Sequence, residues 1–332
     1  MRPVAGVFIL FGALIPICVI VAGVIYERAA EKKDREGIPQ IGQSIDIGGR
    51  SLNIYCSGQG SPAVILEAAN GPGLFWSDIQ AEIAKFTTAC WYDRAGEGWS
   101  DPAPSRRTAA ALARDLHEVL ARVQIPGPYV FAGWSFGGLI VRVYSGLYPG
   151  DVAGVVLIDS AHEDEPKCAP KFFLASSVPQ SLVLPISLVV QAAFRTGLIR
   201  LTQSSPRLSL NLKRHQLIYE LKKQPKAIAA DALTGIAIPQ SYEQARSISF
   251  IGDPPLIVLT AGEPLPWGDP EMARQAALYQ EIWINEIQSK LVGLSRRGRQ
   301  VIVTKSDHGI PVQAPDAVVA AIQEVVADVR HK

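Results

Sequence analysis

The sequence has almost no surplus of charge: 32 Lys and Arg stand against 31 Asp and Glu, a formal net charge of +1. A nucleic-acid binder needs a basic surplus on one face, and this chain does not offer one. Cysteine is scarce, at four, with no Cys-x-x-Cys pair. The histidines are scattered, and His162-Glu163-Asp164-Glu165 lacks the His-Glu-x-x-His spacing, so no metal site is expected. No P-loop or dinucleotide fingerprint occurs. The glycines of GIPQIGQSIDIGG have no strand leading into them at the right spacing. No internal repeat is visible. The expected chemistry therefore uses no cofactor and no metal, and no nucleic acid is expected as partner.

What is present is length and apolar content. The chain has 332 residues, 48% of them apolar, enough for one large domain or one domain with an insertion. Part of the apolar load is local. Val4–Ile25 is an uncharged run, and a spanning helix needs roughly 20 such residues. A retained transmembrane anchor over 1–25 is expected, followed by a charged, then Gly/Pro-punctuated tether over 26–42. A cleaved signal peptide and a buried core helix are the alternatives; Val21-Ala22-Gly23 is a weak cleavage site. Two signals conflict over the membrane side. Arg28, Lys32, Lys33 and Arg35 outnumber Arg2 and the amino terminus, which places the body inside. Cys56 ends one expected strand and Cys90 begins another; a bridge between them would imply an oxidising compartment. Two separate buried thiols are the other reading.

Past the tether, strands and helical segments alternate. SLNIYCSG, PAVILEAA, TACWYDRA, PYVFAGW, VAGVVLID, PPLIVLTAG and QVIVTKS read as strands. AALARDLHEVLARV and DAVVAAIQEVVADV show helical spacing. The pattern predicts an α/β fold with a mostly parallel, doubly wound sheet. Between Glu163 and Asp253 the rhythm breaks into apolar helical stripes, so the expected division is a core over 43–162, a helical cap over 163–253, and the remaining core over 254–332.

Gly133-Trp134-Ser135-Phe136-Gly137 lies where a strand gives way to a helix. A serine there sits on a strained turn that lifts its hydroxyl above the sheet, and its flanking glycines avoid collisions with the neighbouring strand and helix. Serine needs a base and an orienting acid. Of five histidines, His117 falls in a charged helix and is expected to be solvated. His215 lies in a basic cap segment, His331 in the tail, and His162 beside a strand end. His308 alone follows a late strand in a loop before the final helix, and is the expected base.

These features resemble the α/β-hydrolase fold family over nearly everything after the tether, apart from the cap. WYDRAGEGWSDP is similar to the family's loop after its fourth strand, with Asp93, Arg94, Gly96, Gly98 and Ser100 matching; the resemblance implies a structural Asp93. EAANGPGLFW resembles the segment that lends a backbone N–H to an oxyanion hole, with Ala69-Asn70 in place of the usual His-Gly. The implied donors are Gly71 and Phe136. Trp134 stands where the family often has His, which would reshape the pocket floor. The family's chain order, Ser, acid, His, leaves three acids: Asp159 at a strand end, favoured, then Glu263 and Asp269.

The expected activity is that of a serine hydrolase, carboxylesterase-like, cleaving a carboxylic ester of a hydrophobic small molecule through an acyl-enzyme. An apolar cap containing Phe172, Phe173, Leu182, Leu184 and Leu188 would select that substrate. Serine at the elbow argues against the family branches that use aspartate there, the dehalogenases and epoxide hydrolases. The alternatives are an aminopeptidase, whose substrate amine would be held by Glu163, Asp164 or Glu165, an acyltransferase, or a non-catalytic binding protein. Oligomeric state is left open.

Overall fold

Alternation along the central strands decides which way each side chain faces. Ile65, Phe131, Val155, Leu157 and Val258 pack into one core layer, with Leu112, Leu116, Leu139 and Ile140. Their chain neighbours Val64, Leu66, Val130, Val156, Ile158 and Leu259 pack into the other, with Ile79, Ile83, Val318 and Ile322. Period two in the strands and both faces covered by helices is what a buried parallel sheet requires.

The computed structural model describes residues 3–102, 107–170, 179–201 and 213–331; within these, only the backbone is described for 3–17, 35, 180, 183, 184 and 187. Its strands are β1 (Gln43–Asp46), β2 (Ser51–Ser57), β3 (Val64–Glu67), β4 (Ala89–Tyr92), β5 (Tyr129–Trp134), β6 (Val152–Ile158), β7 (Leu256–Ala261) and β8 (Gly298–Val303). They form one eight-stranded sheet in the order β1-β2-β4-β3-β5-β6-β7-β8. β2 runs antiparallel to β1 and β4, and every other pairing is parallel. Strand β1 was not expected. It is only four residues long and pairs through a turn in which Asp46 accepts from the N–H groups of Gly48 and Gly49.

The helices that matter below are α1 (Pro3–Gly37), α2 (Ser77–Ile83), α3 (Ala109–Arg122), α4 (Phe136–Leu147), α5 (Glu165–Cys168), α6 (Gln180–Arg195), α7 (Leu198–Leu201), α8 (Arg214–Lys222), α9 (Pro225–Arg246), α10 (Pro270–Ile282) and α11 (Pro315–Arg330). The described parts of the segment between β6 and β7 are largely helical, with α5 to α9 in sequence.

The amino-terminal expectations fare unevenly. Much of the apolar run Val4–Ile25 lies outside the residues whose side chains are described. Among the described residues, no helix is long and apolar enough to cross a membrane. The expected tether is helical as far as Gly37. YERAAEKKDRE contains neither Gly nor Pro and many good helix formers, so an existing helix propagates through it. One face of this stretch is docked: Arg200 of α7 bonds Glu27 at 2.9 Å and Asp34 at 2.8 Å, and Glu27 is buried.

Cys56 and Cys90 face each other across the β2–β4 ladder and form a disulfide. It closes a 34-residue separation, a cross-link that typically adds about 2–4 kcal/mol by restricting the unfolded chain. The Cys56→Ser/Cys90→Ser variant is expected to unfold at a clearly lower urea midpoint with an equal or steeper slope, because the released unfolded chain exposes more surface; an unmoved midpoint would mean that the bond adds no stability.

Candidate active site

The order of the strands places the site. β3 and β5 are neighbours, with Glu67 in register with Gly133, yet β3 turns toward β4 and β5 toward β6. Loops leaving the carboxyl ends of two such strands diverge and open a crevice. Ser135 leaves β5 at φ 55° and ψ −121°, a backbone state that L-residues rarely adopt. It is tolerated because the turn has no room for alternatives. A Cβ on Gly133 would lie 2.7 Å from the Gly137 carbonyl oxygen, and one on Gly137 would lie 2.5 Å from the carbonyl oxygens of Glu67 and Ala68. The tight turn therefore presses the start of α4 against the loop after β3.

Ser135 Oγ lies 3.0 Å from His308 Nε2, and His308 Nδ1 lies 2.6 Å from Asp159 Oδ2. An ionised carboxylate only accepts, so Nδ1 carries the proton and Nε2 is left to accept from the serine hydroxyl. Asp159 is itself fixed. Its N–H donates to the Leu259 carbonyl at 2.7 Å, and its Oδ1 accepts from the Ala261 N–H at 3.0 Å and from Trp283 Nε1 at 2.8 Å. Burial alone would lower the His308 pKa, but the hydrogen bond and charge of Asp159, with a further contribution from Glu165, outweigh it and raise the value.

The other acids are placed elsewhere. Glu263 is exposed, and Asp269 caps α10 by accepting from the Met272 N–H at 2.9 Å. Trp134 does not simply floor the pocket: its Nε1 donates to the His308 carbonyl at 2.9 Å and its ring stacks on Phe75. His117 is not freely solvated. It is half-buried, 3.0 Å from Asp151 Oδ2, and stacked on Tyr148. His162 is buried, accepts from the Asp164 N–H at 3.0 Å, and is pushed down to about 4, chiefly by burial.

The loop that holds Gly71 is clamped by three successive residues at the end of β4. Tyr92 donates its hydroxyl proton to Glu67. Asp93 accepts from the Gly73 N–H at 2.7 Å. Arg94 donates to the Ala69 carbonyl at 2.9 Å, while ion pairs with Glu67 and Glu97 hold its guanidinium. All four of the side chains Glu67, Tyr92, Asp93 and Arg94 are buried, and burial pushes Glu67 up to about 7 and Asp93 up to about 6. Gly71 has φ 96°, and the aliphatic stem of Lys222 from α8 lies over it. Phe136 opens α4, where the first N–H groups have no helical acceptor.

A cavity of about 220 Å³ adjoins Ser135 and His308. The apolar cap residues proposed as its lining are not its described walls. Phe172 and Phe173 lie outside the described residues, as does the side chain of Leu184, and Leu182 and Leu188 are exposed. The described wall comes from β7 to the helix beyond it, with Leu265, Ala276, Tyr279 and Trp283, and from Glu165 at the start of α5. Trp283 and Tyr279 stand in a helix with no distinguishing motif, so sequence reasoning had no signal for them.

A sequence profile of the alpha/beta hydrolase fold matches residues 64–232. The chain belongs to the alpha/beta hydrolase fold family. Among its relatives, the "Probable transporter efuK" of Hormonema carpetanum is 31% identical over 149 residues, 41% of this chain and 21% of that protein. The pimeloyl-[acyl-carrier protein] methyl ester esterase of Shewanella woodyi is 30% identical over 122 residues, 35% of this chain and 44% of that protein. The chain thus spans less than half the length of both of these curated relatives. A solved esterase from Thermogutta terrifontis superposes with a TM-score of 0.57 at 19% identity, covering 86% of this chain and 99% of that one; it shows the shared fold. A solved structure described as a "putative lipase" from Acinetobacter baumannii superposes likewise, with a TM-score of 0.57 at 18% identity over 92% of this chain and 97% of that one, and shows the same fold.

The two unlike histidines are separable in solution. In NMR titrations of ring-labelled histidine, His308 is expected to titrate above 6.5, and Asp159→Asn should move its midpoint down; His162 should stay neutral until about pH 4. A His308 midpoint indifferent to Asp159→Asn would show that the carboxylate does not hold the ring.

Proposed function

We propose that the protein is a serine hydrolase that cleaves carboxylic esters through an acyl-enzyme. The observation that carries this reading is the unbroken chain Ser135 Oγ to His308 to Asp159, with separations of 3.0 and 2.6 Å. In this reading Ser135 attacks the ester carbonyl as His308 takes its proton. The imidazolium is stabilised by Asp159 and returns the proton to the departing alcohol. Water then repeats the sequence on the acyl-enzyme and releases the acid. The N–H groups of Gly71 and Phe136 receive the oxyanion, a contribution typically of about 10²–10³ in turnover per donor, and the Asp93 and Arg94 clamps keep the Gly71 loop in place. The Shewanella woodyi relative, by its name a methyl ester esterase, supports an ester over an amide. The helical segment 163–253 serves as the cap in this scheme.

His308 acts as a base only when neutral. Because its pKa is raised, kcat/KM should fall as pH drops through a midpoint above 6.5, the ordinary imidazole value. A fluorophosphonate probe should label the wild type and leave Ser135→Ala unlabelled. Robust labelling of Ser135→Ala would refute the assignment of the nucleophile.

The apolar run Val4–Ile25 supports a membrane anchor ahead of this body, and the Cys56–Cys90 disulfide supports an oxidising compartment for the body itself. Alkaline carbonate washing is expected to leave the full chain with membranes and to release a chain that begins at Ile38. Release of both would remove the anchor from the reading.

A further inference from the structure

Three consecutive carboxylates follow β6, and they have different fates. Glu163 is locked to Arg142 by bonds of 2.5 and 2.9 Å. Asp164 is held by Lys167, Arg246 and Lys290 at 2.6, 3.0 and 3.0 Å. Glu165 has no such cation on it in any described ion pair. Its Oε2 accepts from the Tyr242 hydroxyl at 3.1 Å, and Tyr279 lines the same cavity. It lines the cavity that holds Ser135 and His308.

The cavity has the wrong charge for an empty apolar pocket. Among its described lining residues there is no Lys or Arg, and its other carboxylate, Asp159, is fully used by Ala261, Trp283 and His308. A half-buried carboxyl without a cation costs stability unless something pairs with it, and its partial removal from water pushes Glu165 up. The Tyr242 hydroxyl is a donor, so it favours the ionised, accepting form. What the arrangement lacks is a positive charge arriving with the ligand. Resting on the serine hydrolase reading, we propose that Glu165 is the specificity residue of this cavity and selects esters that carry a protonated or quaternary amine over neutral esters of equal apolar size. This replaces a purely hydrophobic substrate with an amphiphilic, cationic one.

The test compares kcat/KM near pH 7 for methyl hexanoate with norleucine methyl ester, methyl 6-aminohexanoate and hexanoylcholine, which set the cation near the carbonyl, far along the acyl chain, and on the alcohol. At least one cationic ester should be preferred by about tenfold or more, the size of a charge-assisted contact. Glu165→Gln should abolish that preference, read as the ratio of kcat/KM for the cationic over the neutral ester so that any change common to both esters cancels, while glutamine keeps the acceptor for Tyr242. Tyr242→Phe, which breaks the same tether but keeps the charge, should retain the preference. In the wild type, hexylamine should protect Ser135 from the fluorophosphonate at lower concentration than hexanol, a readout that needs no variant.

The proposal is overturned if no cationic ester is preferred and hexylamine protects no better than hexanol, or if the preference survives Glu165→Gln. It is equally overturned if Tyr242→Phe loses the preference as fully as Glu165→Gln, since the residue would then act only by anchoring α9. In each of these cases labelling and methyl hexanoate turnover would persist and the hydrolase reading would stand. A wild type that neither labels nor hydrolyses any ester would instead remove the hydrolase reading, and this proposal with it.

Discussion

Asp159 is the residue through which the end of β6 meets the loop after β8. It leaves β6 at φ 40°, a left-handed state that an aspartate tolerates better than most side chains. Its position is not left to torsional preference. Backbone and side chain are both tied to β7, through Leu259 and Ala261, and the indole of Trp283 closes over the same oxygen. The free oxygen then reaches across β7 to the loop after β8. Without that reach, His308 would have the serine on one nitrogen and nothing to fix its tautomer on the other. Removing a buried acceptor would also strand the Ala261 N–H and the indole N–H, each of which costs about 1–3 kcal/mol when left unpaired. The orienting role and the local packing are thus the same set of bonds.

The parallel part of the sheet and its two helical layers were legible because they are written in repeated patterns: apolar runs of strand length, helical spacing between them, and Pro315 before the last helix. The serine turn was legible because glycine at 133 and 137 is a steric requirement, and a steric requirement leaves a residue type behind. The acid was harder. Aspartates at strand ends commonly bond local backbone, and Asp159 does that as well as facing His308, so the residue type alone could not separate the two uses. Strand β1 was missed because four residues hold too little pattern. The charged stretch after the apolar run was read as a tether, and its helical form as far as Gly37 follows from residues that are helix formers, one face of which meets Arg200.

Pocket composition was the least legible part. The apolar residues expected to line it were selected by hydropathy within the cap, yet those that are described there, Leu182 and Leu188, face outward. The described wall is made by residues that no motif marks: Leu265, Ala276, Tyr279 and Trp283. Walls are set by how elements cross, and crossing is a long-range property. By contrast, Asp93 and Arg94 were identified with a structural loop, and the reason is visible in their bonds. Each reaches back to the loop after β3 rather than outward to the cavity, so the end of β4 positions backbone instead of contacting a ligand.

This division of labour explains why charge can be packed so densely around a crevice without disabling it. Glu67, Arg94, Glu97 and Arg107 form a buried ion-pair network on the Gly71 side, and Glu163 and Asp164 are neutralised by Arg142 and by three cations on the β6 side. The Gly71-side network sets two carboxylates against two guanidiniums, as buried charges require, while on the β6 side Arg142 matches Glu163 and three partly exposed cations crowd Asp164. The groups left facing that cavity are those whose charge is not already satisfied: an imidazole held ready to take a proton, and a carboxyl whose described partner is a hydroxyl. On the cationic-ester reading proposed above, that contrast, more than the apolar area of the wall, is what the crevice would use to distinguish ligands.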